Sequence, residues 1–294
     1  TDKILLFASS IVVAFTFTEK AAESLKNRIV KALDVSKDSL QNMYIGTIHG
    51  FCWHLLEKYT EKFSEFKILD SVKSHLFVER YSKECGMETL GMEVYPRNIN
   101  LFLQCIDKMI DDYDNFDQWS ENNQTAFEQY ISCLYEHKYI DFSLMIFETL
   151  KQIAENPAIS TYLSNIKYLI VDEYQDVNDL QEKLITGIAK QGANVCVVGD
   201  DDQTIYQFRG SNANNMIEFS KRYENVHQVK LEENFRCTKK IVELADCIIK
   251  NNNRRLPKKM FSEIQKPDEL KAIRYDSKAE EFKSIANKIE EVHK

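Results

Sequence analysis

The sequence is poor in residues that break regular structure, with 8 glycines and 4 prolines in 294 residues. That scarcity excludes a collagen-like or low-complexity chain. Cysteine pairs at metal-binding spacing are missing as well. The seven cysteines are Cys52, Cys85, Cys105, Cys133, Cys196, Cys237 and Cys247, and no two form a C-x-x-C. A local zinc or iron–sulfur site therefore has no support. An odd number of cysteines in a chain this long reads as reduced thiols and a cytoplasmic setting. No apolar run is long enough to span a membrane as a helix, so no membrane association is expected. The nearest candidate, residues 4–17, is interrupted by Ser9 and Ser10. A basic excess is also lacking: Lys plus Arg is 38 against 46 Asp plus Glu, a formal net charge of −8. Taken alone, this argues against a nucleic-acid binder, although whole-chain charge says little about any one groove.

What is present is ordinary globular chemistry. The chain is 44% hydrophobic, 11% aromatic and 29% charged, enough for a sizeable core and one or two domains. Short apolar runs at residues 4–7 and 12–15 predict buried strands of a parallel sheet. Thr18 offers an N-cap, and Ala21, Ala22, Leu25, Ile29 and Leu33 follow at helical spacing. Residues 43–48 read as another strand, and Phe51, Leu55 and Tyr59 as a helix face. Between about 59 and 138 aromatics and charges recur at helical periods, as in Ile99, Leu103, Ile106 and Ile110, and strand-like runs disappear. Strands return at 168–171, 195–198 and 226–231, separated by helical stretches at 179–190, 214–223 and 239–251. Strands alternating with helices predict an α/β fold with a parallel sheet, interrupted by a helical insertion.

The chemistry concentrates at strand ends. The strand at 168–171 runs directly into Asp172 and Glu173, and open α/β sheets bind ligands at the carboxyl ends of their strands. Two acids there suit a site where one holds Mg²⁺ and the other orients or deprotonates an attacking water. A lone acid pair is more often an acidic turn, but this one extends to DEYQD at 172–176. The next strand ends in GDDDQTIYQFRG at 199–210. Gln203 is an uncharged amide suited to a terminal phosphate, and Tyr206, Phe208 and Arg209 interleave aromatic and cationic groups suited to bases and phosphates.

Together these blocks resemble a superfamily 1 helicase of the UvrD, Rep and PcrA type, with features similar to the RecB group. AFTFTEKAA at 14–22 and GTIHGFC at 46–52 resemble the family's blocks that contact single-stranded DNA, the second in a RecB-like form. DEYQD resembles the Walker B segment, and 199–210 the motif coupling ATP to DNA. LEENFRC at 231–237 resembles the block carrying a phosphate-sensing Arg, and Asp141, Phe142 and Leu144 fit a helix ahead of Walker B. The five blocks run in the family's order.

The resemblance implies a RecA-like parallel sheet flanked by helices, with an all-α insertion subdomain. Its parts would be 1–58 and 139–275 for the ATPase domain, 59–138 for the insertion, and 276–294 for the start of a second RecA-like domain. It implies ATP and Mg²⁺ as cofactors, 3′-to-5′ movement, and single-stranded DNA, or DNA with a single-stranded tail, as partner. Asp172 would bind Mg²⁺, Glu173 would be the catalytic base, and Gln203 and Arg236 would meet the γ-phosphate. Phe235 would stack on adenine where the family commonly has Tyr. Thr16, Phe17, Thr47, His49, Tyr206, Phe208 and Arg209 would face DNA. His49 has a simpler reading as a neutral imidazole capping a helix. The basic cluster Lys250, Arg254, Arg255, Lys258 and Lys259 reads as a solvated helix end.

Two departures stand out. Glu19 replaces a common Asn. More seriously, the chain contains no G-x-x-x-x-G-K-S/T, the loop that cradles the β- and γ-phosphates. The family places it directly after the first strand, here followed by Ala8, Ser9 and Ser10, with Ser9 and Ser10 at the nucleotide. Parallel strands need a crossover of about 10–12 residues or more. The expectation is therefore that a phosphate loop and its helix belong between Ser10 and Ile11. Should those two residues be adjacent in the encoded protein, a degenerate non-hydrolysing DNA-binding relative is the alternative. The motor part of a helicase–nuclease or phage-defence complex is another.

Overall fold

The structure is a computed structural model and describes residues 11–204, 212, 214–265 and 271–293. The chain divides into two compact units, residues 1–224 and 225–294.

The first unit opens with strand β1 (Ile11–Phe15) and helix α1 (Glu19–Leu33), then β2 (Met43–Gly46) and α2 (Ile48–Tyr59). A largely helical block follows: a short strand β3 (Lys67–Leu69), then α3 (Ser71–Arg80), α4 (Pro96–Asp111) and α5 (Glu121–Glu136). The chain then returns through β4 (Tyr139–Asp141), α6 (Phe142–Glu155), α7 (Pro157–Ser164), β5 (Ile166–Val171), α8 (Asp179–Lys190) and β6 (Asn194–Val197). Two four-residue helices, α9 (Asn214–Ile217) and α10 (Phe219–Arg222), close it.

The main sheet has the order β2-β1-β5-β6, and every neighbouring pair is parallel. The strand alternation of β1 explains its two-sided burial. Val13 and Phe15 enter a core that continues through Phe51 and Leu55 of α2, Leu144 of α6 and Leu184 of α8. Ala14 faces the other way, toward Ala22, Leu25 and Ile29 of α1. The same core runs without a break into the helical block through Phe102, Ile106 and Tyr130.

Helix starts follow the expected side-chain chemistry. The Thr18 hydroxyl accepts from the Ala21 N–H at 3.1 Å, and Asp70, Ser120, Asp141, Asn156 and Asn178 cap the helices that follow them. Asn178 and Gln181 complete a reciprocal capping box.

Three expectations differ from what is seen. The block at 59–138 is helical apart from β3, whose three residues pair in parallel with β4 and are too few to leave an alternating pattern. Strand β5 is not buried throughout: Tyr168 and Ile170 on one face are 39% and 37% exposed. Residues 226–231 form no strand, and Val229 and Leu231 are exposed. Among the described residues no strand pairs with them, and without a ladder an apolar β-branched run forms no strand. The expected strand at 4–7 lies outside the described residues.

The second unit contains α11 (Lys239–Ile249) and α12 (Lys278–His293). Among its described residues one bridge joins Glu233 to Phe261. Lys250 of the late basic cluster pairs with Asp246 at 2.5 Å, as a solvated helix end does.

Candidate functional site at the strand ends

The carboxyl ends of β1, β5 and β6 meet at one edge of the main sheet. The Asp172 N–H donates to the Phe15 carbonyl at 2.9 Å, the Val198 N–H to Val171 at 2.8 Å, and the Tyr174 N–H to Val198 at 3.0 Å. These bonds extend the ladder past the last strand residue. They bring Thr16, Asp172–Glu173 and Val198–Asp200 side by side.

Glu173 holds a left-handed backbone, φ 52° and ψ 43°, a conformation that costs a non-glycine residue about 1 kcal/mol or more. It begins a turn of 3-10 helix at Tyr174–Asp176. The carboxyl of Asp172 is raised above the usual range, first by partial burial and then by the charge of Glu173, even though it reaches solvent. Asp176 is raised for the same two reasons, and its Oδ1 is buried with no hydrogen-bond partner. Among the described residues, the acidic side chains that stand close enough together to share one ion are Asp200, Asp201 and Asp202; Asp172, Glu173 and Asp176 do not form such a group.

One residue that the sequence reading gave no role organises this edge. Gln175 is 2% exposed. Its Nε2 donates to Glu173 Oε2 at 2.8 Å, and its Oε1 accepts the Asp200 N–H at 3.0 Å. The Asp200 carboxylate then accepts from Gln203 Nε2 at 2.8 Å and from the Asp202 N–H at 3.1 Å. Glu173 and Gln203 are thus brought into one hydrogen-bonded chain through Gln175 and Asp200. The only signal in the sequence is the pattern itself, an amide two residues after the second acid. Asp201 and Asp202 lie on the partly exposed turn that follows.

Behind the turn, Glu182 of α8 is 5% exposed and accepts from the hydroxyls of Tyr174 and Tyr223. Arg222 pairs with it at 2.9 Å and also donates to the Asn215 carbonyl and Oδ1. This hub locks the strand-end turn to α9 and α10.

The expected DNA-facing residues on β1 and α2 lie together but play unequal parts. Thr16 is buried, and its hydroxyl donates to the Thr18 carbonyl at 3.0 Å. Phe17 beside it is 45% exposed. Thr47 caps α2, accepting from the Gly50 N–H at 3.1 Å, and donates to Glu19 Oε1 at 2.8 Å. Glu19 therefore joins the N-termini of α1 and α2, where a negative charge is favoured. His49 packs its ring on Phe142, with centroids 4.8 Å apart, and burial lowers its pKa to about 4. It is neutral, as the simpler reading had it, but the cap is Thr47. Tyr206, Phe208 and Arg209 lie outside the described residues, as do Ser9 and Ser10.

In the second unit the Asn234 Oδ1 accepts the N–H groups of Arg236 at 2.9 Å and Cys237 at 2.7 Å, a tight turn that leaves Phe235 78% exposed. The Asn234 N–H donates to the Phe261 carbonyl at 2.8 Å, pinning the turn. Phe235 and Arg236 therefore stand on a rigid, solvent-facing corner.

The UvrD/REP helicase N-terminal domain model matches residues 6–224, and the UvrD-like helicase C-terminal domain model matches 229–294. The two matches meet where the two compact units divide. A protein named ATP-dependent DNA helicase PcrA from Leuconostoc citreum is 30% identical over 293 residues, covering 96% of this chain and 38% of that protein. Its namesake from Bacillus subtilis strain 168 is 30% identical over 294 residues, covering 96% of this chain and 39% of that protein. Another from Staphylococcus aureus strain COL is 30% identical over 263 residues, covering 85% and 35%. The chain spans about two-fifths of the length of these relatives or less.

Proposed function

Since this chain belongs to the UvrD/REP helicase family, we propose that it carries the nucleotide site and part of the strand-contacting surface of an ATP-driven motor on single-stranded DNA. The observation that carries this reading is the hydrogen-bonded chain Glu173–Gln175–Asp200–Gln203 at the carboxyl ends of parallel strands. It joins a water-activating carboxylate to an amide suited to a terminal phosphate. Movement is 3′-to-5′, and DNA with a single-stranded tail is the substrate.

The residues divide the work as follows. Asp172 would hold Mg²⁺. When bound, the metal offsets charge on the phosphate oxygens. Glu173 takes the proton of the attacking water. Gln203 and Arg236 contact the γ-phosphate, Phe235 stacks on adenine, and Ser9 and Ser10 lead into the phosphate loop. On the DNA side Phe17 is the stacking group, joined by Tyr206, Phe208 and Arg209. Thr16, Thr47 and His49 shape that surface; a neutral His49 donates or packs but supplies no cation. The helical block 59–138 is an insertion in the ATPase domain, which resumes at 139 and runs to 275, and residues 276–294 open a second RecA-like domain.

The competing reading is a DNA-binding relative that does not hydrolyse ATP. It rests on the absence of G-x-x-x-x-G-K-S/T from these 294 residues. Replacing the base separates the two. In the full protein, Glu173→Gln is expected to lower ATP turnover by about 10²- to 10⁴-fold while nucleotide binding, followed by equilibrium titration, is retained. Turnover at the parental rate would remove Glu173 from the role of base.

A further inference from the structure

We propose that Gln175 is a positioning residue that sets the orientation of the Glu173 carboxylate according to where the segment after β6 lies. The inference rests on the reading of Glu173 as the base. It adds a route by which the Asp200–Gln203 segment controls that base.

Four observations carry it. Gln175 is almost wholly buried, yet both ends of its amide are used, one on each partner block. The orientation of that amide follows from chemistry. The Asp200 N–H is only a donor, so it takes Oε1, and the NH₂ is left for an ionised carboxylate, which only accepts. Glu173 starts a tight turn in a left-handed backbone, and its Oε2 is held by the Gln175 amide. Finally, position 199 has no room for a side chain: a Cβ on Gly199 would stand 2.5 Å from Gln175 Oε1 and 3.1 Å from the Tyr174 nitrogen.

The mechanical consequence is direct. Asp200 is bonded to Gln175 through its N–H and to Gln203 through its carboxylate. A shift of Gln203 toward or away from a phosphate moves Asp200, and with it the N–H donor that Gln175 Oε1 depends on. The other end of the same amide then moves against Glu173. Gln203 thereby acquires a mechanical link to the base.

The test uses the full protein, with ATP turnover measured with and without a single-stranded oligothymidylate. Gln175→Glu keeps the shape, removes the donor to Glu173 and adds a second carboxylate beside it. The expected result is a fall in kcat of about tenfold to a hundredfold with the KM for ATP little changed, and loss of the oligothymidylate-dependent increase. A purely structural role would not remove the DNA-dependent increase while sparing the KM for ATP. Gly199→Ala, which crowds Oε1 without altering Gln175, should reproduce the loss of DNA stimulation and decides the matter if Gln175→Glu does not fold. Parental kcat and DNA stimulation in a folded Gln175→Glu, or parental stimulation in Gly199→Ala, overturn the proposal. Turnover that survives Glu173→Gln would instead overturn the reading of the base.

Discussion

His49 shows how one side chain carries several meanings until its neighbours are known. The IHGF pattern gives an imidazole near a helix start, and either a phosphate contact or a cap is compatible with that. Packing on Phe142 decides its charge: desolvation lowers its pKa to about 4, so the ring is neutral at physiological pH. The consequence for stability has a definite sign. An unfolded His titrates near 6.5, so between that pH and about 4 the unfolded chain binds a proton that the folded chain does not. Stability from this residue is therefore lost as pH falls through that window. Asp107 and Asp111, raised to about 6 by burial, act in the opposite direction between about 4 and 6. The His49 contribution must be read as a difference. Denaturant unfolding of the parental chain and His49→Gln from pH 7.5 to 4.5 is expected to shift their relative stability by about 2–3 kcal/mol in favour of the variant at the acid end. Parallel curves would show that the imidazole is not desolvated. Gln175 is the contrasting case. Its place two residues after Glu173 is the only mark of it in the sequence, because its role depends on the Asp200 amide arriving from 25 residues away.

At the scale of elements, capped and periodic segments were legible in the sequence. Thr18 and the spacing of Ala22, Leu25 and Ile29 define α1, and residues 179–190 match α8 at both ends. Local signals suffice there, because a cap and an amphipathic stripe are short-range properties. Strands fared less evenly for a tertiary reason. An apolar run does not say whether both faces will be covered, hence the exposure of Tyr168 and Ile170, nor whether a partner strand exists, hence the coil at 226–231. The Glu182 hub was equally invisible, since it joins Tyr174 of the strand-end turn and Arg222 and Tyr223 at the end of α10 to α8. Its energetic role is testable. Arg222→Ala leaves a buried carboxylate without its cation and is expected to cost about 3 kcal/mol of unfolding free energy. Adding Glu182→Gln to that variant should restore part of the loss, because a neutral amide keeps bonds to the tyrosines without an unpaired charge. A cost below about 1 kcal/mol would mean that the pair behaves as an ordinary surface ion pair.

For the molecule as a whole, the order β2-β1-β5-β6, all parallel, makes the site legible as a place. Every strand points its carboxyl end at the same edge, and the acids at 172–173 and the turn at 199–203 meet there because chain direction requires it. The net charge of −8 gives no sign of a strand-binding surface. Exposed Phe17 and a neutral His49 explain why: the proposed DNA face relies on stacking more than on a basic excess. The central claim is that this site hydrolyses ATP in step with single-stranded DNA. The most direct measurement is steady-state ATP turnover by the full protein as oligothymidylate is titrated in, with a blunt duplex of equal length as the comparison. The account predicts turnover that rises and saturates with the single strand and responds much less to the duplex. A folded protein that binds the single strand, yet turns over no ATP at any concentration of it, would contradict the account.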